Sequence, residues 1–234
     1  AEFDVTVSAC VLVCSFSGMP QQKACDVYNQ TDAKRAMSRF GMIDGILVSD
    51  ADAFQRARGM LGQAQLRWRS GLKHDASSVL ELEEVGGEFR NKIGERISIE
   101  SDFIFPLMKG SDLGSKRPST KVRSILVPQC NIGDDTGKIK HMAPKTWQYL
   151  QSHRATFAAR KSVIYKKGGD FAIFGIGEYS FKPWKIAIGA LYKSLNFCLV
   201  APVDGRPVMF DDTVYFVGFD TYDEASRYFA QLHT

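Results

Sequence analysis

The chain has 234 residues, 44% hydrophobic and 24% charged, a balance that excludes a disordered polymer and suits one large domain or two small lobes. No apolar run approaches the roughly 18 residues of a membrane span, the longest being the strand-sized Val11–Phe16. The formal charge of +4 is unevenly spread: Thr136–Val203 carries eleven Lys/Arg against Asp170 and Glu178, a local net of +9 that leaves the remainder near −5.

Taken in order, Phe3–Cys14 reads as a buried, β-branched strand. It follows Ala1-Glu2-Phe3 with neither a Met nor a signal-peptide pattern, as expected of a piece of a longer polypeptide. Five cysteines without a C-x-x-C pair, two of them (Cys10 and Cys14) in this strand, read as free thiols of a reducing, cytoplasmic setting. Thr31–Phe40 is expected to be a helix capped by Thr31, Met42–Asp50 a strand, and Asp50–Leu61 a short helix. Trp68–Asp75 is turn-like around Gly71, and Ser77–Val85 has the period-two spacing of a strand. Ser101–Leu113 predicts a short helix, then a loop, and Lys121–Gln129 a strand ended by Pro128. Pro144–Ala159 is the clearest helix, with Trp147, Leu150, Arg154 and Phe157 at helical spacing. Short strands follow at Phe171–Phe174, Ile186–Leu191, Phe197–Pro202, Pro207–Phe210 and Thr213–Phe219, and a helix at Tyr222–Leu232. Strands and helices mix without a βαβ rhythm, so the expected class is α+β, with mixed, mainly antiparallel sheets and peripheral helices.

No P-loop, H-E-x-x-H or G-x-S-x-G motif occurs, and His74, His141, His153 and His233 are scattered. Gly175-x-Gly177 superficially resembles a glycine loop for a dinucleotide or S-adenosylmethionine. Pro183 prevents the helix whose N-terminus such a loop needs. Asp75 ahead of Glu81 and Glu83 invites a nuclease comparison, but the residue two beyond Glu81 is Glu83 rather than a lysine. The eight cations and no acids of Thr136–Gly169 read either as a solvated helix face or as a surface for polyanions, which clustered cations bind by releasing counterions.

The ordered set "WRSGLKHD", "FPLMKGSDL", "ILVPQ", "APKTWQYL", "RKSVIY", "FGIGEYSFKPWKIAIGALYK" and "FDDTVYF" resembles the C-terminal target recognition domain of bacterial gamma-type N6-adenine DNA methyltransferases of restriction-modification systems, including the fused type IIG enzymes. The resemblance covers roughly residues 5–230. It implies sequence-specific recognition of double-stranded DNA, with methyl transfer from S-adenosylmethionine in a catalytic domain carried in cis. The [DNS]-P-P-[YFW] tetrapeptide of that chemistry is absent, since no two of the eight prolines are adjacent. Residues 1–14 are then similar to the last strand of the catalytic domain, and 15–234 form the recognition domain, divisible into lobes 15–135 and 136–234. The fragment is expected to be inactive alone, with no catalytic, cofactor or metal residues of its own.

A protein that unstacks a base holds phosphates with cations and sets a few side chains at base edges. In Phe174–Lys185, Gly175 and Gly177 permit close backbone approach, Tyr179 and Ser180 offer hydrogen bonds, and Lys182 and Lys185 suit phosphates. Phe181 and Trp184 either pack beside sugars or anchor the loop. Arg160, Lys161, Ser162 and Tyr165 are candidates for the same groove. Arg69, Ser70 and Lys73, with Lys109 and Ser111, match the resembling motifs in expected loops. Asp112 either accepts from a cytosine amino group or caps a turn. The other reading is an assembly module docking through the aromatic loop, which requires Trp184 in an exposed apolar patch.

Overall fold

A computed structural model describes residues 24–29, 32–62, 66–113, 123–190 and 195–232. The strand expected at Phe3–Cys14 lies outside them, as do Thr31 and His233. The chain divides into two units at residues 64 and 65.

In the first unit, β1 (Ala24–Asn29), β2 (Asp32–Ile43) and β3 (Ile46–Val48) make an antiparallel sheet in that order. Asp44 and Gly45 join β2 to β3 with φ of 50° and 78°. Two successive positive-φ residues match the twist of a tight hairpin, and an Asp-Gly pair is a strong local signal for one. The helix expected over Thr31–Phe40 is therefore corrected to strand β2. Its Ala, Lys and Arg favour helix by only tenths of a kcal/mol each, and antiparallel pairing with β1 outweighs that. Helix α1 (Ala51–Ala57) follows, its first turn capped by Asp50, which accepts from the Ala53 N–H at 2.8 Å.

The second unit runs β4 (Arg69–Ser70), α2 (Ser77–Leu80), β5 (Glu81–Val85), β6 (Glu88–Asn91), β7 (Arg96–Ile97), β8 (Ile104–Met108), β9 (Arg123–Leu126), α3 (Ile139–Met142), α4 (Pro144–Ser152), α5 (Arg154–Ala158), β10 (Trp184–Gly189), β11 (Cys198–Val200), β12 (Met209–Phe210), β13 (Val214–Phe219) and α6 (Tyr222–Gln231). One sheet has the order β11-β10-β13-β4 and the other β12-β8-β9-β5-β6-β7. Among the strand pairs of the described residues only β12 with β8 is parallel, so the fold is α+β with mainly antiparallel sheets, as expected. Leu150 of α4 and Phe157 of α5 pack with Leu80 of α2 and with Ile125 and Leu126 of the larger sheet. Ala225 of α6 packs on Ile186, Val217 and Phe219 of the smaller one.

Several expected elements change. Ser101–Leu113 is a 3-10 turn followed by strand β8, because Ile104–Met108 finds β9 on one side and β12 on the other. Ser77–Val85 opens with one helical turn before its strand. The expected strand at Phe171–Phe174 is reduced to a single bridge between Phe174 and Lys73. The helix over Pro144–Ala159 is broken at His153 into α4 and α5.

The start of α4 has Ala143 where a capping side chain is expected, and Glu100 supplies the cap from a distance. Its carboxylate accepts from the backbone N–H of Lys145 (3.0 Å) and Thr146 (2.8 Å) and from the Thr146 hydroxyl (2.6 Å). Burial acts to raise this carboxyl, but these hydrogen bonds outweigh it and bring the pKa from 4.5 down to about 2. A depressed carboxyl contributes stability that is complete above its unfolded pKa and lost as pH falls through the folded one. Acid titration of the wild type is therefore expected to show stability falling between pH 4.5 and about 2, with a shallower fall in Glu100→Gln, read from urea midpoints at each pH.

Candidate nucleic-acid interface

The two sheets of the second unit share a junction, and the motifs singled out in the sequence converge on it. Chain leaving β4 passes through Gly71, Leu72 and Lys73 between two other backbones. On one side the Gly71 N–H donates to Val214 O (2.9 Å) and the Leu72 N–H to Phe210 O (2.7 Å). On the other, Lys73 and Phe174 exchange a pair of 2.8 Å hydrogen bonds. A Cβ on Gly71 would lie 2.1 Å from Asp211 O, and one on Gly175, whose φ is +69°, would lie 2.2 Å from Gly71 O. Gly110 approaches Thr213 in the same way, and its N–H donates to the Thr213 hydroxyl at 2.9 Å. Three glycines from three separate motifs thus let backbones meet where any side chain would force them apart.

A buried ionic cluster lies under this junction. Glu81 receives the ammonium of Lys109 at 2.7 Å and that of Lys92 at 2.8 Å, and Lys109 also lies 3.8 Å from Asp211. Burial pushes the Glu81 carboxyl up, but the two lysines outweigh it and hold it below its ordinary value. His74 stands 3.7 Å from Glu81 and accepts the Ala76 N–H at Nδ1. Burial lowers its pKa, with Lys109 adding to the effect against the pull of Glu81. Asp211 accepts from the hydroxyl of Thr213, which ties the cluster to the β12–β13 turn. Glu81, Asp211 and His74 were not among the candidates; a carboxylate in the otherwise apolar run Val79–Leu82 was the available signal.

The Phe174–Lys185 loop is largely inward-facing. Gly177 begins a 3-10 turn over Glu178–Phe181, and the Cβ position of Gly177 is filled by the Tyr179 ring at 2.6 Å. The two glycines therefore offer no free backbone ledge for a cofactor. Ser180 is buried, and Phe181 packs edge-on against Phe105 at 5.5 Å. Trp184 is an anchor, set edge-on to Tyr222 of α6 at 5.0 Å, and not the exposed patch an assembly module would dock through. Lys185, expected at a phosphate, is 1% exposed and donates to Lys182 O at 2.6 Å. It occupies a central strand whose two faces are both covered, so its ammonium turns back to cap the 3-10 turn. Burial lowers its pKa from 10.5 to about 7. Lys182 reaches the surface, bound at 2.6 Å to Asp220. That exposed pair is worth under about 1 kcal/mol and is easily exchanged for another anion.

Of the remaining candidates, Arg69 lies over the Tyr179 ring at 4.8 Å, half-buried, and Ser70 pairs with Tyr215 at the sheet edge. Lys73 and Lys161 have no ion-pair partner among the described residues, and Lys161 is exposed. Ser111 is exposed. Lys109 is held by Glu81 as above. Asp112 closes its own turn, accepting the Lys109 N–H at 2.8 Å, and pairs with Arg123 at 2.6 Å, so of its two readings the turn cap is the one realised. Ser162 precedes the 3-10 turn Val163–Lys167. Tyr165 is buried, stacked under the Arg160 guanidinium at 4.0 Å, and burial raises its phenol pKa. Arg160 reaches back to donate to His74 O, across a sequence separation of 86 residues.

No family model matches the chain. It is 40% identical over 233 residues to the Type II methyltransferase M.NspV of Nostoc sp., a match that takes in 99% of this chain and 48% of that protein. The chain thus spans about half the length of that curated relative. Among solved structures, part of the Type IIL restriction-modification enzyme MmeI in complex with DNA superposes with a TM-score of 0.42 at 11% identity, covering 67% of this chain and 19% of that one.

Proposed function

We propose that this chain is the sequence-specific, double-stranded DNA recognition domain of an N6-adenine DNA methyltransferase or methyltransferase-endonuclease of a bacterial restriction-modification system. The observation that carries the reading is its 40% identity, along 99% of its length, to about half of a Type II methyltransferase. The adenine-holding tetrapeptide is missing from this half, which supports a division of labour. Recognition belongs to these residues, and S-adenosylmethionine and the target adenine to a catalytic domain in cis. The setting is the cytoplasm, where such an enzyme meets DNA.

The accessible cations lead this reading to Lys73 and Lys161 in preference to Lys185. They would meet phosphates flanking the bases, and Ser70, Ser111 and Arg69 would supply polar contacts. Each phosphate contact contributes about 0.9 to the salt slope of duplex binding. Lys73→Ala with Lys161→Ala is therefore expected to lower that slope by about 1.8 and to weaken binding across all sequences alike. The check is fluorescence anisotropy with a labelled random duplex from low to high salt. An absence of salt-sensitive duplex binding by the wild type removes the proposal.

A further inference from the structure

The basic segment folds around an open groove of about 280 Å³, lined by Arg154, Phe157, Arg160, Tyr165, Gly168–Gly169 and Asp170. Arg160 forms its floor. Its Nε donates to Phe157 O (3.0 Å), Nη1 to His74 O (3.3 Å) and Ala172 O (2.6 Å), and Nη2 to Asp170 O (3.0 Å). All of these acceptors are neutral carbonyls. Among the described residues no carboxylate lies within ion-pair distance of this guanidinium, and Asp75 acts on it only from beyond that distance, so its positive charge is only partly offset beside the groove. One of its five N–H groups is left over after these four bonds.

The rim is closed by a charge pair. Arg154 holds the Asp170 carboxylate at 2.6 Å, while Arg160 holds the same residue by its backbone carbonyl. The pair is exposed, with side chains 59% and 53% accessible, so water and salt already compete for it. A stronger or better placed anion can displace Asp170 from Arg154 without unfolding anything. Gly168 and Gly169 also line the groove, and their missing side chains let the chain pass close to Ala172 and Thr136. The groove thus has one fixed cation without a direct ion pair, one cation on a weak latch, and in Asp170 the acid that latch can release.

We infer that this groove is a phosphate-binding site for the DNA backbone, in which Arg154 exchanges Asp170 for a phosphodiester oxygen while Arg160 supplies the fixed charge below it. The inference rests on the DNA-recognition reading above and adds to it a site outside the Phe174–Lys185 loop. Asp170 acts as an internal competitor, satisfying Arg154 when no duplex is bound. Arg154 is the mobile contact, and Arg160 is a positioning residue whose bonds to His74, Ala172 and Asp170 carbonyls fix the groove to the Lys73–His74 segment.

The test compares wild type, Arg154→Gln and Asp170→Asn in binding a labelled duplex over a salt series, with melting temperatures measured alongside. Arg154→Gln is expected to lower the salt slope by about 0.9 and to weaken low-salt binding several-fold, whereas Asp170→Asn tightens it. Both keep the wild-type melting temperature, because the pair they break is exposed. Wild-type binding that is salt-sensitive but unchanged in both variants overturns the phosphate site and leaves the DNA reading standing. A wild type that binds no duplex overturns both. A third arm uses inorganic phosphate alone: saturable binding lost in Arg154→Gln, with duplex binding intact, assigns the groove to a free anion and overturns the inference.

Discussion

Gly71→Ala is expected to destabilise the protein by about 3 kcal/mol and to take duplex binding with it. The added Cβ would sit 2.1 Å from Asp211 O and 2.5 Å from Phe210 O, and both atoms are backbone. Neither can step aside cheaply, since Phe210 is paired in β12 against Met108 of β8 and its carbonyl accepts the Leu72 N–H. On the other side Gly175 presses against Gly71 O, so the strand cannot shift that way either. Gly189→Ala is the matched control: its Cβ would meet nothing closer than Gly110 O at 3.9 Å, and a change within about 0.5 kcal/mol is expected. Urea denaturation of the two variants checks this. A Gly71→Ala midpoint equal to that of Gly189→Ala would refute the close junction.

Lys185→Met is expected to stabilise the protein by about 2 kcal/mol at pH 6, with the advantage shrinking as pH rises. A lysine whose pKa falls from 10.5 unfolded to about 7 folded is a charge buried at a cost. Below pH 7 both states hold the proton and the full penalty applies. Between about 7 and 10.5 the unfolded chain binds more protons than the folded one, so stability rises with pH. A shift of that size corresponds to several kcal/mol, and the lost hydrogen bond to Lys182 O returns about 1–2 kcal/mol of it. Methionine keeps the length of the side chain in the strand and removes the titration. The measurement is urea stability from pH 6 to 10, where the wild type is expected to climb and Lys185→Met to stay flat. A wild type flat over that range would show that Lys185 keeps an ordinary pKa.

Elements specified by local chemistry were legible in the residues. The final helix follows its Thr221 cap, which accepts the Glu224 N–H, and strand β13 follows an Asp-Asp turn. The helical span of α4 and α5 was visible as one helix in its Trp147, Leu150 and Phe157 spacing, but the break at His153 was not. Strand β2 was not, because its composition favours helix and only a partner strand elsewhere in the chain overrides that. Strand β8 was misread for the same reason, Ile104–Met108 being short and apolar enough for either state.

For the site, the sequence by itself determined the cast: a cationic segment without acids, three glycine-bearing motifs, and an aromatic loop ending in two lysines. Residue type and local spacing suffice for that, because charge density and turn chemistry are properties of short stretches. Only the tertiary structure decided which groups face outward. Lys182 and Lys185 differ by three positions, yet one pairs with Asp220 in solvent and the other is sealed in a central strand. Gly175 likewise makes room for Gly71 of the same chain rather than for a ligand. Burial and close backbone approach depend on elements far apart in sequence. So does the latch between Arg154 and Asp170, which forms because the chain from α5 turns back through Gly168–Gly169 and returns the carboxylate to the start of that helix.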